Sequence, residues 1–506
     1  MTVARAHAAC LIGLDGRTVV VETALGAGLP GLTIVGLPDA AVKESRERIR
    51  AALRHIGFPL PGRNVVVNLA PADLPKSGAG LDLPIALSIL AANGDLSIDS
   101  LEGATFLGEL SLDGTLRPVP GALSVAEVSR LEGRETLFLP TENAAEAAAA
   151  AGVTVFPTPH LGAAIAHLTG KERLAACPVE RWQPVFMESD LDLREVRGQA
   201  LARRALEIAA AGGHNILFVG PPGSGKTMLA RRLPGILPPM SREEAVEVTR
   251  IWSVAGRLPA GSGLQRQRPF RSPHHGASSP ALTGGGTDPQ PGELSLAHFG
   301  VLFLDELPEF RRDVLEALRE PLEDGVVSVA RAAGARVFPA RFLFVGAMNP
   351  CPCGHQGDPR VTCRCSQHEV ARYRKKISGP LLDRIDLHVE VPAVPASDFH
   401  SDGDGEGTPA VQKRVTAARA KQSERTGDPR LTNGNLPTRQ LKALVKLDAA
   451  GKALMERAVD RMKLSARGYQ RILRVGRTIA DLDGAREVQT PHLAEALRYR
   501  AVHVEG

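Results

Sequence analysis

Nowhere in the 506 residues is there a run of eighteen or more apolar residues, which excludes a membrane-spanning helix and with it a membrane partner. The first ten residues, Met1 to Cys10, lack the apolar centre of a secretory signal, so a cytoplasmic location is expected. Aromatic residues make up only 4% of the chain, too few for a large base-stacking platform. Six cysteines do not form the dense, spaced pattern of a disulfide scaffold, although four of them crowd between Cys351 and Cys365. Charge of one sign is scarce too: the net charge of +5 permits nucleic-acid contact without demanding it. What remains is an ordinary globular composition, 43% hydrophobic and 23% charged, with length enough for about three domains.

The fold class expected is multidomain α/β. Residues 1–170 alternate β-like runs (Leu32–Val35, Asn64–Leu69, Thr105–Leu110) with Ala-rich amphipathic stretches (Ala40–Leu53, Pro84–Ala92, Asn143–Ala151), the pattern of an α/β domain. Residues 171–190 read as a connector and 191–395 as a nucleotide-binding core. Residues 396–409, with their acidic, Gly-rich Ser401–Pro409 segment, read as a flexible linker. Residues 410–503 have helical periodicity, with Lys and Arg frequent, and residues 410–506 read as a small all-helical lid domain.

The strongest local signal runs from Asn215 to Thr227, where a short apolar strand enters a Gly-rich loop and then a helix. Gly220, Pro221, Pro222, Gly223, Ser224, Gly225, Lys226 and Thr227 form a Walker A loop. Its backbone N–H groups curl around phosphate oxygens, Lys226 reaches the outer phosphates, and the Thr227 hydroxyl is placed for Mg²⁺. The following helix points its positive end at the same phosphates. ATP and Mg²⁺ are therefore the expected cofactors. A second apolar strand, Gly300–Leu304, ends in Asp305 and Glu306. Asp305 is placed to hold Mg²⁺ and Glu306 to polarise the attacking water. A third strand, from Arg341, ends at Asn349; that side chain either orients the same water or caps the turn before Pro350.

This order of motifs, followed by Leu381-Leu-Asp-Arg384-Ile-Asp386, resembles the AAA+ ATPases, and more narrowly their magnesium-chelatase-like branch. The resemblance implies that Arg384 is an arginine finger reaching the γ-phosphate of a neighbouring subunit, and hence a homo-oligomeric ring. A guanidinium supplied in trans stabilises transition-state charge; a local pair with Asp383 or Asp386 is the alternative. Leu464–Asp481 resembles the sensor-2 helix of that branch, with Arg467 the first candidate for a phosphate contact and Arg474 the second. Val196-Arg-Gly-Gln199 matches the branch's adenine-side loop.

Two short β-like runs between Gly325 and Pro339 predict a hairpin with Arg331 and Arg336 near its tip. In related helicases a hairpin at this point enters the ring's channel, which makes these arginines DNA-contact candidates suited to phosphates; a solvated hairpin is the alternative. Residues 268–286 read as a mobile, polar, Gly-rich loop contacting a partner or nucleic acid. Its His274 and His275 are expected to point apart, so no metal site is assigned there. Cys351, Cys353, Cys363 and Cys365 offer four thiolates, enough for one tetrahedral structural Zn²⁺, against the alternative of free cytosolic thiols.

Residues 71–123 resemble the peptidase domain of Lon-type proteases, which shares the fold of a ribosomal protein S5 domain. The nucleophilic serine position is Gly80 and the partner lysine position is Leu123, so a Ser–Lys dyad is not expected. Ser77 and Lys76 lie nearby but are adjacent in a turn. The basic stretch Lys43–Arg50 either supplies a charged face or pairs with its own glutamates. The three domain signatures in this order identify the chain as a member of the YifB/ComM family. Membership implies a hexameric helicase that drives branch migration in homologous recombination and the integration of transforming DNA, with branched or single-stranded DNA as its partner. Two other readings stay open: a chelatase-type subunit inserting Mg²⁺ into a porphyrin, or another protein-remodelling motor, and an ATP-dependent peptidase.

Overall fold

The computed structural model describes residues 3–187, 191–286, 288–331, 334–394 and 405–500. Residues 396–404 of the expected linker lie outside the described residues. The chain forms two compact units, one of Met1–Gln183 with Ser241–Gln265 and one of Pro184–Met240 with Arg266–Gly506. The multidomain α/β reading holds.

In the first unit a seven-stranded sheet runs in the order Gly31–Val35, Asn64–Ala70, Asp15–Gly26, Val3–Ile12, Ala104–Phe106, Thr136–Leu139, Thr154–Pro157. The long hairpin Val3–Ile12/Asp15–Gly26 is antiparallel, and the Ala104–Phe106, Thr136–Leu139 and Thr154–Pro157 strands continue parallel to Val3–Ile12. The helix Asp82–Asn93 is apolar on nearly all sides and buries ten residues, as a helix enclosed by its own domain must. Two expected elements are shorter than their patterns. The run Thr105–Leu110 is a strand only to Phe106, after which Glu109–Leu110 pairs with Leu116–Arg117 in a separate ribbon. Of Asn143–Ala151 only Ala144–Ala147 is α-helical, because Ala propensity alone cannot propagate a short helix.

Residues 241–265 join this unit although they follow the Walker A helix in sequence. Their helix Arg242–Val254 opens on a capping box between Ser241 and Glu244. It is tied down by the Gly121 N–H donating to Ser253 Oγ at 2.8 Å and by Arg250 pairing with Asp15 at 3.0 Å and Glu127 at 3.2 Å.

In the helix Ala40–His55 one basic residue pairs with the helix's own glutamates, Arg50 with Glu47 at 3.4 Å, but Arg48 follows neither reading. Arg48 turns inward, and its Nε donates to Asp82 at 2.7 Å; Ser45 and the Leu110 N–H also donate to that carboxylate. Burial pushes the Asp82 carboxyl above the usual carboxylate range, against the opposing pull of Arg48. Replacing Arg48 with Met leaves a buried carboxylate without its cation. This is expected to lower stability by about 3 kcal/mol, read from denaturant unfolding.

The second unit holds a five-stranded, all-parallel sheet in the order Phe270–Arg271, Val301–Leu304, Leu343–Met348, Ile216–Val219, Leu387–Glu390. The Walker A strand Ile216–Val219 thus lies between Leu343–Met348 and Leu387–Glu390, so the ends of three motif-bearing strands fall side by side. The helices Thr408–Thr426, Thr438–Leu444, Ala449–Met462, Ala466–Leu482 and Thr490–Arg498 complete the unit. A buried polar cluster fixes the helix Thr408–Thr426 and the turn at Asn433 to the helix Ala466–Leu482: Asp481 accepts from Arg425 at 2.7 Å, Arg477 at 2.9 Å and Asn433 at 2.8 Å.

Candidate nucleotide site

Ile216–Val219 is fully apolar and feeds directly into the loop, whose turn is made by Gly223 and Gly225 at positive φ (73° and 93°). Gly220 is dictated by proximity instead. A Cβ there would sit 2.1 Å from the Val391 carbonyl oxygen, which no side chain tolerates. Gly220→Ala is therefore expected to displace the loop, costing about 2 kcal/mol of stability and weakening ATP binding, checked by thermal unfolding and nucleotide titration.

Lys226 opens the helix Lys226–Ile236 and is buried. Its Nζ donates to the carbonyls of Gly220 at 2.7 Å and Pro221 at 2.9 Å, and to Asn349 Oδ1 at 3.3 Å. Burial lowers its pKa, opposed by Asp305; an anionic phosphate alongside would favour the ammonium form. The Thr227 hydroxyl donates to Asp305 Oδ2 at 2.7 Å, and Asp305 Oδ1 accepts the Glu306 N–H at 2.9 Å. Glu306 has φ of 49°, a left-handed conformation costly for a non-glycine residue and common where a side chain must be aimed. The structure therefore brings together Lys226, Thr227, Asp305, Glu306 and Asn349 at the carboxyl ends of adjacent parallel strands, where open α/β sheets bind ligands.

The donor set fits a Mg-nucleotide. Ser224 Oγ is buried without a hydrogen-bond partner among the described residues, and the hydroxyl–carboxylate pair Thr227/Asp305 is the oxygen set a magnesium ion takes. Beside the loop, Gly198, Gln199, Ala200, Leu201, Glu390 and Pro392 line a cavity of about 360 Å³. Gln199, itself at positive φ (54°), closes it by donating to Pro392 O at 2.6 Å.

One group at this site was not expected. Rather than pointing apart, the His274 and His275 rings lie against each other, centroids 4.0 Å apart, and His275 Nδ1 stands 3.2 Å from Glu306 Oε2. Residues 268–286, expected as a loop, also carry regular structure, with the strand Phe270–Arg271 and the helix Ser279–Thr283. Nothing in a His-His pair announces a partner thirty residues away; only the parallel pairing of Phe270–Arg271 with Val301–Leu302 brings them together.

Arg384 and Arg467 form a separate cluster, both pairing with Glu323. Neither local alternative for Arg384 is its partner: Asp386 pairs with Arg471 and His214. Burial works against the charge on Asp386, but Arg471 and His214 outweigh it and hold the carboxyl well below the usual range. Arg474, the second sensor-2 candidate, donates to Leu436 O at 2.7 Å, and burial lowers its pKa.

The hairpin exists, with Val326–Arg331 paired antiparallel to Gly334–Pro339. Arg331 flanks the turn, whose residues 332–333, like the Arg331 side chain, lie outside the description. Arg336 is set back from the turn, opposite Val329.

The four cysteines converge. Their Sγ atoms all lie within 4.8 Å of one another, with Cys351–Cys353 at 3.4 Å, Cys351–Cys363 at 3.7 Å and Cys353–Cys363 at 3.6 Å. Backbone N–H groups of Gln356, Cys353 and Cys365 donate to Cys351, Cys365 and Cys363, each at 3.4 Å. In the first unit the peptidase positions hold no dyad. Leu123 is fully buried, Gly80 packs on Leu107, and the Lys76 ammonium is buried on the Pro71 carbonyl, its pKa lowered by that burial.

Three family models cover most of the chain: magnesium chelatase subunit ChlI over residues 192–399, subunit ChlI of Mg-chelatase over 21–143, and the ChlI C-terminal region over 405–500. The protein YifB of Salmonella typhimurium is 45% identical over 99% of this chain and 98% of its own length. The competence protein ComM of Haemophilus influenzae is 44% identical over the same shares. The magnesium-chelatase 38 kDa subunit of Rhodobacter capsulatus is 26% identical over 62% of this chain and 85% of its own length. With full-length identity at this level and the nucleotide motifs gathered at one sheet edge, the chain belongs to the YifB/ComM family of magnesium-chelatase-like AAA+ proteins.

Proposed function

We propose that this protein is a Mg·ATP-driven ring motor, a DNA helicase that drives branch migration in homologous recombination and the integration of transforming DNA, acting on branched or single-stranded DNA. The observation that carries the ATPase half is the assembly of Lys226, Asn349, Thr227, Asp305 and Glu306 around one loop. Lys226 and the loop N–H groups bind and orient the phosphates, and Thr227 and Asp305 would hold Mg²⁺, which neutralises charge on the phosphates when bound. Glu306 takes the proton of the attacking water, and Asn349 orients that water. Gln199 and its cavity take the base. Arg384, with Arg467, completes the site of a neighbouring copy, which makes the working unit a homo-oligomeric ring, a hexamer by family resemblance.

The DNA half is supported by the competence-protein name of a full-length relative and by the arginine-bearing hairpin. It is tested by strand displacement on a synthetic three-way junction with ATP and Mg²⁺. Wild type is expected to displace a strand and Lys226→Ala to do nothing. A preparation that hydrolyses ATP yet displaces no strand would detach the motor from DNA. The similarity to the 38 kDa chelatase subunit favours a second reading, Mg²⁺ insertion into a porphyrin; that reading requires ATP turnover stimulated by chelatase partner subunits and not by DNA.

The cysteine cluster is read as a structural Zn²⁺ site. Four sulfurs around zinc at about 2.3 Å stand about 3.8 Å apart, close to the separations found here. The N–H···S bonds supply the outer-shell support that metal-bound thiolates take.

A further inference from the structure

One carboxylate joins the two arginines that the nucleotide motifs leave apart from the Walker loop. Glu323 sits on the short helix Arg319–Asp324, and its Oε2 accepts from Arg384 Nη2 while its Oε1 accepts from Arg467 Nη2 at 3.5 Å. Arg384 is otherwise held by Nη1 donating to Pro380 O at 2.7 Å, and its buried Nε has no partner among the described residues. Arg467, by contrast, is 63% exposed. Like-charged guanidiniums repel; a shared carboxylate between them turns that repulsion into a fixed pair.

The helix that carries Glu323 is itself anchored. Glu320, one turn earlier, accepts from Ser328 Oγ at 2.6 Å and from the Ser328 N–H at 3.3 Å, which ties it to the hairpin strand Val326–Arg331. Glu323 therefore stands on a braced support, facing two cations from elements 83 residues apart in sequence (384 and 467).

We propose that Glu323 is a positioning residue for catalysis: it orients Arg384 and Arg467 as one unit for presentation to the neighbouring subunit's nucleotide. This rests on the reading of Arg384 as a finger acting in trans. Glu323 touches no reacting atom; its effect is exerted through the geometry of the two guanidiniums, where small misplacements cost rate steeply. Removing its charge lowers kcat about tenfold or more and leaves the ATP KM within about twofold, since the Walker loop that binds ATP is untouched.

The test uses mixed assemblies of the full chain. Glu306→Gln supplies an intact finger on a dead site, and Arg384→Ala supplies a live site with no finger; each alone is inactive, and mixing them restores turnover at shared interfaces. Adding Glu323→Gln to the Glu306→Gln chain is expected to cut the restored turnover tenfold or more, and Glu323→Asp to return part of it. Undiminished recovery with the Glu323→Gln chain overturns the proposal while leaving the finger in place. No recovery in the parent mixture overturns the trans reading of Arg384 itself. Thermal unfolding and nucleotide titration of Glu323→Gln guard against a folding effect: loss of either with the rate makes Glu323 merely structural and also overturns the proposal.

Discussion

Glu306→Gln is expected to bind ATP as tightly as wild type and to release phosphate about 10² to 10⁴ times more slowly. The substitution is close to isosteric, so the left-handed backbone at this position and the neighbouring His275 remain compatible with it. What disappears is the carboxylate that takes a proton from water. Binding rests on other groups, namely the loop N–H groups, Lys226 and the Thr227/Asp305 pair. Titration with a fluorescent ATP analogue, alongside steady-state phosphate release, separates the two effects. Turnover near the wild-type rate would remove Glu306 from the chemistry and leave it a strand-end acid held by His275. His275→Ala is expected to have a smaller effect than Glu306→Gln, since His275 restrains the carboxylate and takes no proton from water in the proposed mechanism.

Loss of the proposed zinc from the cysteine cluster is expected to have the second largest effect. Wild-type protein should carry a single zinc per chain by atomic absorption, and Cys351→Ser should carry none. Cys351 is fully buried, and structural zinc in small domains is worth about 10 kcal/mol or more of apparent folding free energy. Here the fold around it is large, so the loss should be local and severe. It should also reach the nucleotide. A Cβ on Gly354, inside the cysteine loop, would lie 2.7 Å from Pro222 Cδ of the Walker loop, so the two loops are in contact. Asn349, whose Oδ1 accepts from Lys226, immediately precedes the cluster. Burial above all pushes the phenol of Tyr373, on the helix Gln367–Arg374 that follows the cluster, up to about 12. Zinc-free protein is therefore expected to bind ATP more weakly as well as melt earlier. A stable, active preparation with no stoichiometric zinc would show the sulfurs to be free thiols.

Much of the site was legible because its chemistry is local in sequence. A phosphate loop needs its glycines, lysine and threonine at fixed spacing on one turn, and a Walker B strand ends in its carboxylates without reference to anything distant. The cysteine cluster was legible for the same reason: all four thiols fall within fifteen residues, from 351 to 365. The hairpin, the parallel core strands and the C-terminal helices followed from periodicity, and the shortfalls came where Ala-rich or alternating patterns met turns too soon. Arg467 and Arg474 could not be separated by spacing alone, since residues seven apart share a helix face; the fold gives them different partners, Glu323 for Arg467 and the Leu436 carbonyl for Arg474.

By itself the sequence determined that this chain has a nucleotide loop, a carboxylate-ended strand beside it and a metal-ready set of thiols, because each is defined by the short-range stereochemistry of neighbouring residues. Tertiary structure alone decided that His275 faces Glu306, that Arg48 neutralises the buried Asp82, that residues 241–265 pack with the N-terminal unit, and that Glu323 joins Arg384 to Arg467. These pairings join positions tens to more than a hundred residues apart. Their partners are chosen by which strands lie side by side and which charges would otherwise be left buried alone, and no local pattern encodes that choice.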